Sequence, residues 1–299
     1  MKCASEEPLY VILPYFNFCG FKRRRDLFVD FVRRNKSLRL VVIECDGPAP
    51  LGKLGVWKHI RVKSPNHIWI KESLINQAVR RLPKSWKYMA WVDADITFLN
   101  EGWVEDTVYE LRKHDMVQLF RTCVNLGPDG ESIKTDKSFG HMLSTGTEYS
   151  TSDKYGFWHP GYAWACSRKA YDQMGGLLDW AILGSGDRHM ALAWIGRVAE
   201  SAPGNVHPTY ARMLLEYQER CRGLKVSYIE GTIVHHWHGR FVDRKYKERW
   251  KILTDGQYDP ADDVGITKDG MIRLSLAGSR FRNQLKEYFV GRKEDLMSV

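Results

Sequence analysis

The chain has 299 residues, 43% hydrophobic and 27% charged, a balance that excludes wholesale disorder and allows a sizeable core without disulfides. Its net charge is +9, of which residues 22–39 carry +6 and residues 240–251 carry +4, so two local basic surfaces suited to phosphate on a ligand, a polymer or a membrane account for the whole bias. The cysteines at 3, 19, 45, 123, 166 and 221 form no C-x-x-C pair, no apolar run approaches the ~20 residues of a membrane span, and the polar residues 1–8 hold no secretory core. The expectation is a soluble, cytoplasmic protein with neither zinc ribbon nor disulfide framework.

The chain opens on a strand, Leu9 to Pro14. A basic amphipathic helix follows over 23–35, with Leu27, Phe28, Phe31 and Val32 at helical spacing. Arg39 to Cys45 is a continuous apolar strand stopped by Asp46-Gly47-Pro48. Strand, helix, strand is the start of a parallel sheet. A weaker strand spans 57–62, a helix 70–82 ends at Pro83, and WKYMAWV over 86–92 reads as a central buried strand. A helix over 103–113 and a strand over 115–119 come next. Residues 125–157 are polar, without period, and read as a long functional loop. Helices over 167–174 and 187–194 precede a last strand, Val226 to His236, and a charged tail. With no repeat and no linker, the expectation is one α/β domain, residues 1–250, with residues 251–299 as a C-terminal extension packed on it.

Four constellations carry chemistry. WVDADI places Asp93 and Asp95 one residue apart at the C-terminal end of an apolar strand, where open α/β sheets bind ligands. If the strand geometry persists, both carboxylates share a face and suit Mg²⁺ or Mn²⁺ held with a diphosphate. His235-His236-Trp237-His238 ends the last strand. His235 and His238 converge if the chain turns there, and His236 and His238 if it does not. Gly184-Ser185-Gly186-Asp187 opens a helix, where Asp187 reads either as an N-cap or as a general base. The basic run from Arg240 follows the histidines, and Arg240 or Arg244 could neutralise a departing phosphate.

In their order, VILPYFN, WIKESLIN, WVDADITF, the stretch from HPGYAWACSRK to GSGDRHM, and IVHHWHGR resemble a GT-A glycosyltransferase of the family-2-like kind found in bacteria and viruses. The resemblance spans roughly residues 9–250. It implies a Rossmann-like, mostly parallel central sheet flanked by helices. It also implies an enzyme moving a hexose or pentose from a nucleotide-diphosphate sugar, a UDP-sugar first, to an acceptor hydroxyl. Asp93 and Asp95 then take the metal and donor role, His235 or His238 the late metal-ligand role, and Asp187 the base role of an inverting enzyme. Gly161, Trp164 and Gly176 line the donor sugar pocket. Pro14, Asn17, Lys71 and Asn76 are donor contacts, and Glu44 or Asp46 meets the base or ribose. Many relatives carry Glu-Asp where this chain has Gly186-Asp187, which rests the base role on one carboxylate. The acceptor is a glycan, a lipid-linked sugar or a hydroxylated DNA base, with KRRR at 22–25 meeting DNA phosphates in the last case. Two rivals stand beside this reading. A sugar nucleotidyltransferase wants a Gly-rich basic loop after the first strand, where this chain has PYFNFCG. A non-catalytic nucleic-acid-binding protein explains the charge but not acids and imidazoles gathered at strand ends. The sequence sets no oligomeric state.

Overall fold

The computed structural model describes residues 7–149 and 158–297. Strands β1 (Leu9–Tyr15), β2 (Leu40–Cys45), β3 (Lys58–Val62) and β4 (Tyr88–Val92) alternate with helices α1 (Lys22–Arg34) and α2 (Lys71–Val79). Then come β5 (Ile96–Phe98), α3 (Trp103–Leu111), β6 (Met116–Gln118), β7 (Thr122–Leu126), β8 (Ser132–Ser138) and α4 (Phe139–Ser144). After β9 (Trp158–His159) and β10 (Ala163–Ser167), helices α5 (Arg168–Met174), α6 (Gly186–Trp194) and α7 (Pro208–Arg220) follow. The chain finishes with β11 (Val226–Tyr228), β12 (Thr232–His235), α8 (Trp250–Asp255), the hairpin β13 (Val264–Ile266) and β14 (Ile272–Leu274), and α9 (Arg282–Gly291).

Seven strands form the main sheet in the order β11-β6-β10-β4-β1-β2-β3. All run parallel except β10, which is antiparallel to both β4 and β6. Helices cover the faces, so β1, β2 and β4 are apolar on both sides and bury nearly every residue. The expected α/β class, with a mostly parallel central sheet flanked by helices, is the one observed. Helix α1 buries the expected Leu27, Phe28, Phe31 and Val32 against one face. Leu253, Tyr258, Phe281, Leu285 and Phe289, from the last fifty residues, join the core on the opposite face.

A second sheet, β5-β12-β7-β8-β9, grows from the end of the first. Strand β5 leaves β4 through the turn at Asp93–Asp95. Register then does the positioning: His235 of β12 pairs with Ile96 of β5 and with Asn125 of β7. That register sets an imidazole and an amide beside the Asp95 turn.

Two expectations need correction, and one helix was not expected. The strand expected over 226–236 is two strands in different sheets, broken at Glu230-Gly231, where Gly231 takes φ +131° and lies against Asn100. The loop expected over 125–157 contains β8 and α4, and its residues 150–157 lie outside the described ones. Strand β8, SIKTDKS, is mostly exposed, so it carries no apolar alternation to read. Helix α7 buries only Tyr210, Leu214 and Tyr217 along a charged segment, a stripe too thin to stand out.

Candidate active site

The C-terminal ends of β1 and β4, the second sheet, the start of α6 and the segment after β12 enclose a cavity of about 900 Å³. Of the residues expected at the site, Pro14, Lys71, Asp93, Asp95, Gly161, Asp187, His235, His238 and Arg244 line it. The cavity has two chemically different ends.

At one end three side chains converge. Asp95 Oδ2 lies 3.0 Å from His238 Nε2 and 3.9 Å from His235 Nε2, and one ligand atom from each residue falls within 4.8 Å of the others. The chain does turn after β12, so His235 and His238 are the converging pair. His236 faces away and meets Thr97 Oγ1 at 2.7 Å. Among the described residues Asp95 Oδ1 is buried with no hydrogen-bond partner, which a bare carboxylate oxygen tolerates poorly without a cation.

The tautomers follow from the neighbours. Asn125 Nδ2 donates to Asp136 Oδ2 at 2.9 Å, which fixes Asn125 Oδ1 as the atom facing Tyr162 and His235. That oxygen accepts from Tyr162 OH at 2.8 Å and from His235 Nδ1 at 3.0 Å, so Nδ1 carries the proton and Nε2, 3.2 Å from His238 Nε2, keeps its lone pair. His238 Nδ1 lies 3.7 Å from the buried Glu294 carboxylate, leaving its Nε2 toward the cluster. Burial holds the His235 imidazole neutral, well below its usual range. Burial alone would raise Asp95, but the His238 hydrogen bond and the nearby Arg244 charge hold it far below the usual carboxylate range. An anionic carboxylate and two imidazoles aimed at one point fit a divalent cation.

At the other end lie Asp93, Lys71 and Asp187, with Glu72 buried outside the lining. Lys71 Nζ is 2.6 Å from Asp93 Oδ1 and 3.6 Å from Asp187 Oδ2. Burial would lower the lysine, but Asp187 and Asp93 raise it, so it stays an ammonium. Burial lifts Asp93 to about 6, and the charges of Asp95 and Asp187 add to that rise against the opposition of Lys71. Helix α6 begins at Gly186, with Ser185 as its N-cap in the left-handed region at φ +73° and no side-chain capping bond. Asp187 is therefore in the first helical turn, not at the cap. Gly161 passes so close that a Cβ there would sit 3.0 Å from Asp187 Oδ2. A Cβ on Gly186 would come 2.5 Å from Glu72 Oε1, so glycine at 186 leaves room for a buried carboxyl group. Burial pushes Glu72 up to about 8.

The remaining expected residues sit elsewhere. Asn17 is buried and ties the turn after β1 through Phe21. Glu44 accepts from Leu51 N and meets His59, while Asp46 is exposed. Asn76 anchors Leu177 and Asp179, Gly176 packs on Asn76, and Trp164 is a core side chain whose Nε1 donates to Pro160 O. Arg240 lies off the cavity and pairs with Asp243. Its neighbour Arg244 lines the wall, 3.0 Å from His238 Nε2, with its Nε buried and unpartnered. The KRRR run is largely engaged within the fold: Arg24 pairs with Glu294, Arg23 donates to Trp237 O and Arg25 to Pro50 O. Asn125, Glu294, Glu72, Trp69 and Arg249 escaped the sequence reading. A neighbour of Lys71 and one of the basic run were in view, but nothing in sequence ties Asn125 or Glu294 to His235 and His238.

No family model matches the chain, and no curated protein matches it. Similar solved structures include a glucosyl-3-phosphoglycerate synthase from Mycobacterium tuberculosis with Mn²⁺, UDP-glucose and phosphoglyceric acid. It is 13% identical, covering 91% of this chain and 88% of that one, at a TM-score of 0.43. A Drosophila galactosyltransferase 7 with manganese, UDP-Gal and xylobiose is 14% identical, over 92% and 97%, at 0.42. A 4-diphosphocytidyl-2C-methyl-D-erythritol synthase from Anaerococcus prevotii is 12% identical, over 75% and 89%, at 0.31.

Proposed function

We propose that this chain is a glycosyltransferase of GT-A type that uses Mn²⁺ or Mg²⁺ and moves a sugar from a UDP-sugar to an acceptor hydroxyl with inversion. The observation that carries the reading is the convergence of Asp95, His235 and His238, with a bare carboxylate oxygen, in the cavity that also holds Asp187. Two imidazoles among the donors favour Mn²⁺. When bound, the cation neutralises the diphosphate as it leaves. Arg244, beside His238, adds a fixed positive charge for the same phosphate oxygens. Pro14, Tyr15 and Phe16 at the end of β1 line the donor side of the cavity. Lys71 holds Asp93 in place to meet the donor. Asp187 takes the acceptor hydroxyl's proton as that oxygen attacks the anomeric carbon. The bond from that carbon to the diphosphate breaks, and its electron pair leaves with the diphosphate.

A glycan or DNA acceptor remains part of this proposal, although the internal engagement of Arg23, Arg24 and Arg25 removes the main argument for DNA. Among the described residues no helix is long and apolar enough to cross a membrane. The test is hydrolysis of a panel of nucleotide-sugars with and without Mn²⁺. Metal-dependent release of UDP from at least one sugar is expected. No turnover and no UDP binding would reject the reading.

A further inference from the structure

Two arginines of the segment after β12 are more than nine-tenths buried: Arg244 and Arg249 are each 7% exposed. Among the described residues neither forms an ion pair with a carboxylate. A buried guanidinium without a counter-charge is costly, and such sites normally await an anion. Arg244, against His238, is accounted for by the diphosphate. Arg249 is not.

Arg249 stands on the other side, at the start of α6, whose first turn carries Asp187. Its Nη2 donates to Ser185 Oγ at 2.7 Å and its Nη1 to Tyr288 OH at 3.1 Å. Ser185 is two residues before Asp187 and turns its hydroxyl to Arg249 instead of capping α6. Gly184 lets the two elements meet: a Cβ there would lie 3.1 Å from Arg249 Nη1 and 3.5 Å from the Trp69 ring. Trp69 Nε1, in the same wall, is buried with no hydrogen-bond partner among the described residues. The field at this point is positive, since Arg292 and Arg249 overcome burial and bring the Tyr288 hydroxyl below its usual range. Arg292 is itself balanced by Glu294, which leaves the Arg249 charge uncompensated.

We infer that Arg249 and Trp69, with Ser185, form an anion subsite beside Asp187, so that the acceptor carries a phosphate or carboxylate group next to the hydroxyl that attacks. The inference rests on the glycosyltransferase reading for the word acceptor. The subsite itself rests on the buried, uncompensated guanidinium and the unpartnered indole N–H. A fixed fork of guanidinium donors plus an indole N–H recognises oxygen anions and orients them. It selects acceptors by charge, since a neutral sugar would leave Arg249 unpaired.

The test uses the full chain saturated with UDP and Mg²⁺, so that the diphosphate position is filled, and titrates inorganic phosphate and, separately, acetate by calorimetry. Phosphate or acetate is expected to bind the loaded protein, and which binds tighter identifies the acidic group. Arg249→Met is expected to weaken that binding tenfold or more, the loss of a charge-assisted hydrogen bond, with UDP affinity unchanged. Trp69→Phe keeps the aromatic packing and removes one donor. It is expected to weaken the anion about threefold and decides the matter if Arg249→Met does not fold. Failure of both anions to bind the loaded wild type overturns the inference, as does an Arg249→Met variant that loses UDP affinity instead. If the wild type does not bind UDP but still binds phosphate through Arg249, the nucleotide-sugar reading fails while the anion subsite stands.

Discussion

Asp93 and Asp95 leave the same strand two residues apart, yet they stand in opposite electrostatic surroundings. Asp95 faces two imidazoles and Arg244, which hold it anionic against burial. Asp93 shares Lys71 with Asp187 and is lifted to about 6. Environments that push paired carboxylates apart mark a division of labour. In the proposed reading, one end of the cavity holds a cation between Asp95, His235 and His238. The other end sets Asp93 and Asp187 around one ammonium, and in the proposed reading it moves a proton. The D-x-D turn is where the two ends join.

The sharpest way to break this comparison is Asp187→Asn. The amide cannot take a proton, so transfer is expected to fall about 10²–10⁴-fold in kcat with donor affinity kept. Because Asp187 lies in the first turn of α6 and not at the cap, loss of its dipole interaction alone would cost under about 1 kcal/mol. Transfer within a few-fold of wild type would return Asp187 to that structural part. Next in size is Asn125→Ser, which removes the oxygen that fixes the His235 tautomer. Mn²⁺ affinity is expected to drop about 10–100-fold, measured by titration, with the Asp187 end untouched. An unchanged affinity would mean that the imidazole is oriented without Asn125.

Glu72 sharpens the proton-managing end. Its carboxyl is pushed from 4.5 up to about 8 by burial. The unfolded chain ionises first, so the folded protein loses stability as pH rises through that window, by up to about 1.4 kcal/mol per pH unit. Glu72→Gln keeps the shape against Gly186 and removes the titration. Urea midpoints at about pH 5 and about pH 8 are expected to converge in the variant relative to wild type. Identical pH slopes would place the group's titration elsewhere.

The two ends also differ in how far the sequence revealed them. Strand β4 and its two aspartates were readable because a continuous apolar run ends abruptly in charge. Helix α1 was readable because its apolar residues repeat at 3.6. The partners of His235 and His238 were not, since Asn125 sits in a polar stretch and Glu294 follows a charged tail. Only the β7–β12 register and the return of α9 bring them in. Strands β8 and β12 were missed or merged for the same reason: short, half-exposed strands carry little periodic signal, and the break at Gly231 changes sheets, not hydropathy. Arg249 looked like any residue of a solvated basic run until burial against Ser185 and Tyr288 set it apart.

The central claim is that Asp95, His235 and His238 hold one divalent cation. It is tested most directly by titrating Mn²⁺ into the wild type, Asp95→Asn and His238→Ala, with free Mn²⁺ read by electron paramagnetic resonance and folding by circular dichroism. The account predicts a single wild-type site, tightened by UDP, that is lost in both variants while their spectra remain folded. Mn²⁺ affinity within about twofold of wild type in both folded variants would contradict it.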